Sequence, residues 1–128
     1  MADSIANVRN AMEKYRIKKL VVMSAFGVGS SFKNLNFLMK PVIKHTNMAA
    51  QFTDHGLVDA ETKESGLDWV VVRPAMLKGE KAQLVNVLSD TGREASFMPS
   101  ISRASVANFL VDAVEEGRWN RTTPVICN

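Results

Sequence analysis

The sequence predicts an α/β fold, a mostly parallel sheet with flanking helices, on three observations. Lys19-Leu20-Val21-Val22-Met23 and Asp68-Trp69-Val70-Val71-Val72 are short apolar, β-branched runs. Such continuous runs, without polar alternation, mark strands buried on both faces of a parallel sheet. Both end abruptly, the first in Ser24-Ala25-Phe26-Gly27 and the second in Arg73-Pro74. Finally, stretches of helical periodicity alternate with these runs, which is the pattern of βαβ units.

Each element has its own local reason. Ser4 can cap a first helix whose apolar residues Ile5, Val8, Met12 and Tyr15 recur at helical spacing. The first strand runs from about Lys18 to Met23. Gly27, Gly29, Ser30 and Ser31 then read as a flexible loop. The apolar segment from Leu35 to His45 contains Pro41, which should kink or split a helix there. Thr53 or Asp54 can cap a helix through Leu57, Val58 and Glu61 that stops at Gly66. The second strand covers Asp68 to Arg73 and ends at Pro74, with Leu77 to Glu80 as loop. Leu84 to Leu88 can form a further strand before an Asp90-Thr91-Gly92 turn. Ser102 caps a helix with Val106, Phe109, Leu110, Ala113 and Val114 on one face, ended by Gly117. Trp119 precedes a last strand, Pro124 to Cys127.

Bulk properties narrow the function classes. The 128 residues, 46% hydrophobic and 23% charged, suit one globular domain spanning 1–128. No apolar run reaches the roughly 20 residues of a membrane helix, and the start lacks the basic and apolar regions of a signal peptide. Membrane attachment is therefore not expected. The single cysteine, Cys127, cannot form an internal disulfide, so a reducing, cytoplasmic setting is expected. With His45 and His55 it has no metal-site spacing, and no metal is expected. The net charge of +3 includes a cluster of Lys14, Arg16, Lys18 and Lys19. Beyond Tyr15 it has no aromatic platform, so nucleic acid is not an expected partner.

Several residues carry chemistry. Ligands sit at the carboxyl ends of parallel strands, which draws attention to Ser24 and Arg73. A hydroxyl at Ser24 can donate to a carbonyl or amide at the sheet's open edge. Arg73 can bind an anion or pair with a carboxylate such as Asp68 or Asp112. His55 can act as a proton donor or as a polar wall. Gly27-Val28-Gly29-Ser30-Ser31-Phe32 nearly matches the dinucleotide fingerprint. Phe32 stands where a small residue is needed, and no strand ending in an acid follows at about 20 residues. Tyr15 and Lys19 have the spacing of a Tyr-x-x-x-Lys pair but span a helix end and a strand start. Met23, Met39, Met48, Met76 and Met98 suit a core or an adaptable pocket lining.

Together, Ser24-Ala25-Phe26, Asp54-His55, Glu64-Ser65-Gly66-Leu67-Asp68-Trp69, Arg73-Pro74 and Ser100 to Ala107 resemble the second half of the atypical short-chain dehydrogenase/reductases. The similarity is to the NmrA-like and biliverdin-IXβ/flavin reductase groups, and it covers nearly the whole chain. It implies a Rossmann-like fold that lacks the N-terminal, dinucleotide-binding half. The resemblance implies NADP or NAD as cofactor. Ser24, Ala25 and Phe26 would line its nicotinamide side, while Pro74, Ala75, Met76 and Leu77 would border nicotinamide and substrate. His55 would fall near the position of the usual catalytic lysine, and Gln51 near that of the tyrosine.

The expectation is thus a truncated NAD(P)-dependent oxidoreductase-like protein acting on a small organic substrate, with Ser24, His55 and Arg73 as its catalytic candidates. One alternative is a cofactor-free isomerase, lyase or cyclase reusing the pocket. Another is a non-catalytic, NmrA-like regulatory binding protein. A half-sheet leaves an exposed edge strand, so a homodimer or a partner completing the sheet is also expected.

Overall fold

A computed structural model describes residues 2–128. Its main sheet has four strands in the order β1-β2-β6-β4, formed by β1 (Lys19–Met23), β2 (Asp68–Pro74), β6 (Val125–Cys127) and β4 (Asn86–Leu88). β1, β2 and β6 are parallel, with Lys19 opposite Asp68 and Arg73 opposite Val125, and β4 closes the far edge antiparallel to β6. The mostly parallel α/β architecture expected from the sequence is therefore present.

β2 is central because Val70, Val71 and Val72 are fully buried, one face or the other. Each contributes about 1.5–3 kcal/mol relative to exposure. Alternation along the strand sorts them between two cores. Val71 and Trp69 join Leu20 and Val22 of β1 against Ile5 and Met12 of α1 (Ala2–Lys14) and Val58 of α3 (Met48–Glu64). Val70 and Val72 face Val106, Phe109 and Ala113 of α4 (Arg103–Glu115). Trp119 stacks at a tilt on Phe109, with ring centroids 5.5 Å apart. Ser102 caps α4 as expected, its hydroxyl accepting from the Ser105 N–H at 3.1 Å. Ser102→Ala is expected to lower stability by about 1 kcal/mol, read as a shift of the urea midpoint.

Several local expectations are corrected. α1 begins at Ala2, so Ser4 lies within its first turn, while Val8 and Tyr15 are exposed. Tyr15 lies beyond the last residue of α1 and Lys19 lies on β1, so the two share no helix. Pro41 sits in the first turn of α2 (Met39–His45), where an N–H would be unpaired in any case, and the break falls after His45. α3 starts at Met48, which places Thr53 and Asp54 inside it. Leu77, expected in loop, instead forms β3 with Met76 (Met76–Leu77), parallel to β5 (Ser100–Ile101). Val114 is exposed rather than on the buried face of α4. The Gly27–Ser31 segment is a turn leading into a 3-10 helix over Gly29–Asn34. It is pinned rather than free, since Ser30 Oγ accepts from Arg73 Nη1 at 3.0 Å.

Candidate functional site

The parallel ladder does not stop where β1 and β2 end. Ser24 N–H donates to the Val72 carbonyl at 2.7 Å, Phe26 N–H to the Pro74 carbonyl at 2.9 Å, and Ala75 N–H to the Ile126 carbonyl at 2.9 Å. Extended backbone therefore carries Ala25 and Phe26 alongside Pro74 and Ala75. Beyond them opens a hollow of about 440 Å³, with these four residues in its lining. That volume lies within the range of small-ligand pockets.

Two further segments complete the hollow. Met39 and Ile43 on α2, then Met48 and Phe52 on α3, are pairs spaced i, i+4, so each pair shares one helix face. Met76, Leu77, Phe97, Met98 and Pro99 contribute the other side. Asn36 is the one lining residue with a polar side chain, and its Nδ2 donates to the Phe97 carbonyl at 2.9 Å. The hollow is thus an apolar slot. It accommodates a flat hydrocarbon or heteroaromatic face and gives a free phosphate no cationic partner.

Of the residues singled out from the sequence, Ala25, Phe26, Pro74, Ala75, Met76 and Leu77 all line the hollow. Four of the five expected adaptable methionines do not lie in one place by chance: Met39, Met48, Met76 and Met98 share its wall, while Met23 lies in a shallower groove with Val106 and Leu110. Ile43 on α2, Phe52 on α3 and Phe97 were not foreseen as site residues. For Ile43 and Phe52 the sequence signal was the i, i+4 pairing with Met39 and Met48; Phe97 had none.

Ser24, His55 and Arg73, the catalytic candidates, are not among the residues that line the hollow. Ser24 is buried directly before Ala25, and its Oγ has no hydrogen-bond partner. His55 is half-buried one turn after Phe52, its Nδ1 enclosed and also unpartnered. Arg73 is fully buried, and its ion-pair partner is neither Asp68 nor Asp112 but Asp59 on α3, at 2.7 Å. Its Nη1 also donates to Ser30 Oγ at 3.0 Å and to the Asp90 carbonyl at 2.9 Å. Its guanidinium thus ties two loops and a helix to the sheet.

The residues present fit one end of a nicotinamide dinucleotide. The slot suits the nicotinamide ring and an apolar substrate beside it. The glycine-containing turn does not suit the pyrophosphate. Gly27 N–H donates to Ser31 Oγ, Val28 N–H to the Ala25 carbonyl and Ser31 N–H to the Val28 carbonyl. A phosphate cradle needs such amides free at an α-helix N-terminus. The space beside Gly29 is filled as well, since a Cβ there would lie 3.0 Å from Arg73 Nη2. Among the described residues no group of three or more His, Cys, Asp or Glu side chains is placed to hold a metal ion, and no helix is long and apolar enough to cross a membrane.

Known structures share this architecture. A Bacillus halodurans protein assigned as an NAD-dependent epimerase/dehydratase superposes with a TM-score of 0.75 at 25% identity, over 97% of this chain and 52% of that one. ChuY of Escherichia coli O157:H7, described as an anaerobillin reductase, gives a TM-score of 0.77 at 18% identity, over 96% and 56%. A short-chain dehydrogenase/reductase of Veillonella parvula, solved in complex with NADP, gives 0.78 at 13% identity, over 99% and 58%. The chain thus spans little more than half the length of these structures. No curated protein matches it. A family described as NAD(P)H-binding matches residues 1–117, and the chain belongs to that NAD(P)H-binding family.

Proposed function

We propose that this chain forms the substrate-side wall of an NAD(P)-dependent oxidoreductase acting on a small, flat, largely apolar organic molecule. The observation that carries this reading is the apolar hollow at the carboxyl ends of adjacent parallel strands, where such folds bind ligands. NADPH or NADH, when bound, would supply the hydride and leave as the oxidised cofactor. Ala25 and Phe26 flank the nicotinamide, while Pro74, Ala75, Met76 and Leu77 border both ring and substrate and keep water out. Ser24 holds a hydrogen bond toward the reacting group, His55 holds a proton, and Arg73 acts through the residues that it anchors. A reducing, cytoplasmic setting suits the lone buried Cys127.

Titration with NADPH, followed by its fluorescence, is expected to show saturable binding that Ala75→Trp abolishes by filling the slot. No binding up to millimolar concentration removes the oxidoreductase reading. The second reading, a cofactor-free isomerase, lyase or cyclase, gains from the Gly27, Val28 and Ser31 amides being already hydrogen-bonded within the turn.

The outer side of β1 has no strand beside it in the described residues. The same reading expects a second chain there, either another copy or a module that completes the sheet. Sedimentation of the purified 14.1 kDa chain is expected to show a heavier species. A chain that stays monomeric when concentrated removes pairing between copies.

A further inference from the structure

Among the described residues, five enclosed polar atoms lack partners, and they are not scattered: Ser24 Oγ, His55 Nδ1, Asp59 Oδ1, Thr62 Oγ1 and Arg73 Nε. On α3, at roughly 100° per residue, Met48, Phe52, His55, Asp59 and Thr62 fall on one stripe. Its upper end, Met48 and Phe52, lines the hollow, and its middle, Asp59, meets Arg73. Ser24 approaches from the other side. Leu20 and Val22 face α3 with Trp69 and Val71, and strand alternation carries Ser24 and Arg73 onto that same face. Met23 pairs with Val72, so Ser24 and Arg73 form the next rung.

The unpartnered atoms are chemically complementary. Arg73 Nε can only donate, and the neighbouring Ser24 Oγ can accept. Asp59 Oδ1 can only accept when ionised, and His55 Nδ1, one turn away at i−4, can carry a proton. Thr62 competes less, because a hydroxyl inside a helix can turn to the carbonyl four residues back, whereas an imidazole cannot. We propose that the buried Arg73–Asp59 pair is the positioning element for both proton-handling side chains, Ser24 and His55. In this arrangement Arg73 Nε–H donates to Ser24 Oγ, and Asp59 Oδ1 accepts from His55 Nδ1–H.

The consequences are specific. Ser24, held as an acceptor by the arginine, has its own proton left to point past Ala25 toward the ligand. His55 is held in the Nδ1–H form, which leaves Nε2 to take up and deliver a proton. The pairing itself is argued from the placement of these unpartnered atoms around the Arg73–Asp59 ion pair. Only the use of these protons in turnover rests on the function proposed above.

The test is long-range proton–nitrogen correlation NMR of the ¹⁵N-labelled chain, with the imidazoles neutral and His45 as the exposed internal reference. The expected result is an Nδ1–H tautomer for His55, beside the ordinary Nε2–H preference for His45. Asp59→Asn is expected to shift His55 toward Nε2–H while His45 stays unchanged. A wild-type His55 with the same tautomer as His45 overturns the proposal, even if Asp59→Asn does not fold. An unchanged His55 tautomer in a folded Asp59→Asn variant overturns it as well. NADPH binding is read separately, so a cleft that ignores the cofactor removes the oxidoreductase reading and leaves this pairing standing.

Discussion

Arg73→Met is expected to be the most damaging single substitution in the chain. Arg73 is fully buried and Asp59 is 3% exposed, so the methionine strands an ionised carboxylate that water cannot reach. Breaking a buried pair from one side costs about 3–5 kcal/mol, against a total stability on the order of 5–15 kcal/mol for a small domain. The loops held through Ser30 and Asp90 lose their anchor in the same step. The double variant Arg73→Met with Asp59→Leu is expected to recover much of the loss, since no buried charge then remains alone. Urea denaturation of the wild type and the variants reads this directly. A loss below about 1 kcal/mol for Arg73→Met contradicts the role given to the pair.

Gly92→Ala is expected to be the second most damaging change, and it reaches the hollow from behind. Gly92 has φ +62°, and a Cβ there would lie 2.6 Å from Cε2 of Phe26 and 3.1 Å from Cγ2 of Val125. Left-handed backbone costs a non-glycine residue about 1–2 kcal/mol, and overpacking adds about 1–3 kcal/mol. The ring of Phe26 must move, and it lines the hollow, so ligand affinity should fall along with stability. Gly79→Ala is the matched comparison, because Gly79 has φ +83° with nothing within 4 Å of a Cβ. It is expected to show the backbone part alone. Equal urea midpoints for the two variants would refute the contact between Gly92 and Phe26 as the source of the larger loss.

The strands were legible in the sequence because burial on both faces leaves no alternation to misread: Val70 to Val72 announce a central strand by themselves. α4 was legible because its cap, Ser102, lies outside the helix and bonds as a free cap does. α3 shows the opposite case. Thr53 looked like a cap, but its hydroxyl donates to the Ala49 carbonyl at 2.9 Å, a bond made within a helix already under way. β3 and β5 have two residues each and exist only because tertiary packing lays one beside the other. The strand-end residues of the site followed from the rule that ligands sit at strand termini. The helix residues opposite did not, because their phase about α2 and α3 depends on where those helices start. The partner of Arg73 was missed for a different reason. Asp59 already lay within the expected helix, but no local pattern selects it over Asp68 or Asp112 as the partner of an arginine on a separate strand.

The most direct measurement of the central claim compares NADPH with reduced nicotinamide mononucleotide, which keeps the nicotinamide and lacks the adenosine and the pyrophosphate. Backbone amide shifts would be followed in both titrations. The expected result is similar affinity for both ligands, with shifts concentrated at Ala25, Phe26, Ala75, Met76 and Leu77 and little change at the Gly27–Ser31 turn. NADPH binding far more tightly than the mononucleotide, with its largest shifts at Gly27 to Ser31, would contradict the account, because this chain would then hold the phosphates itself.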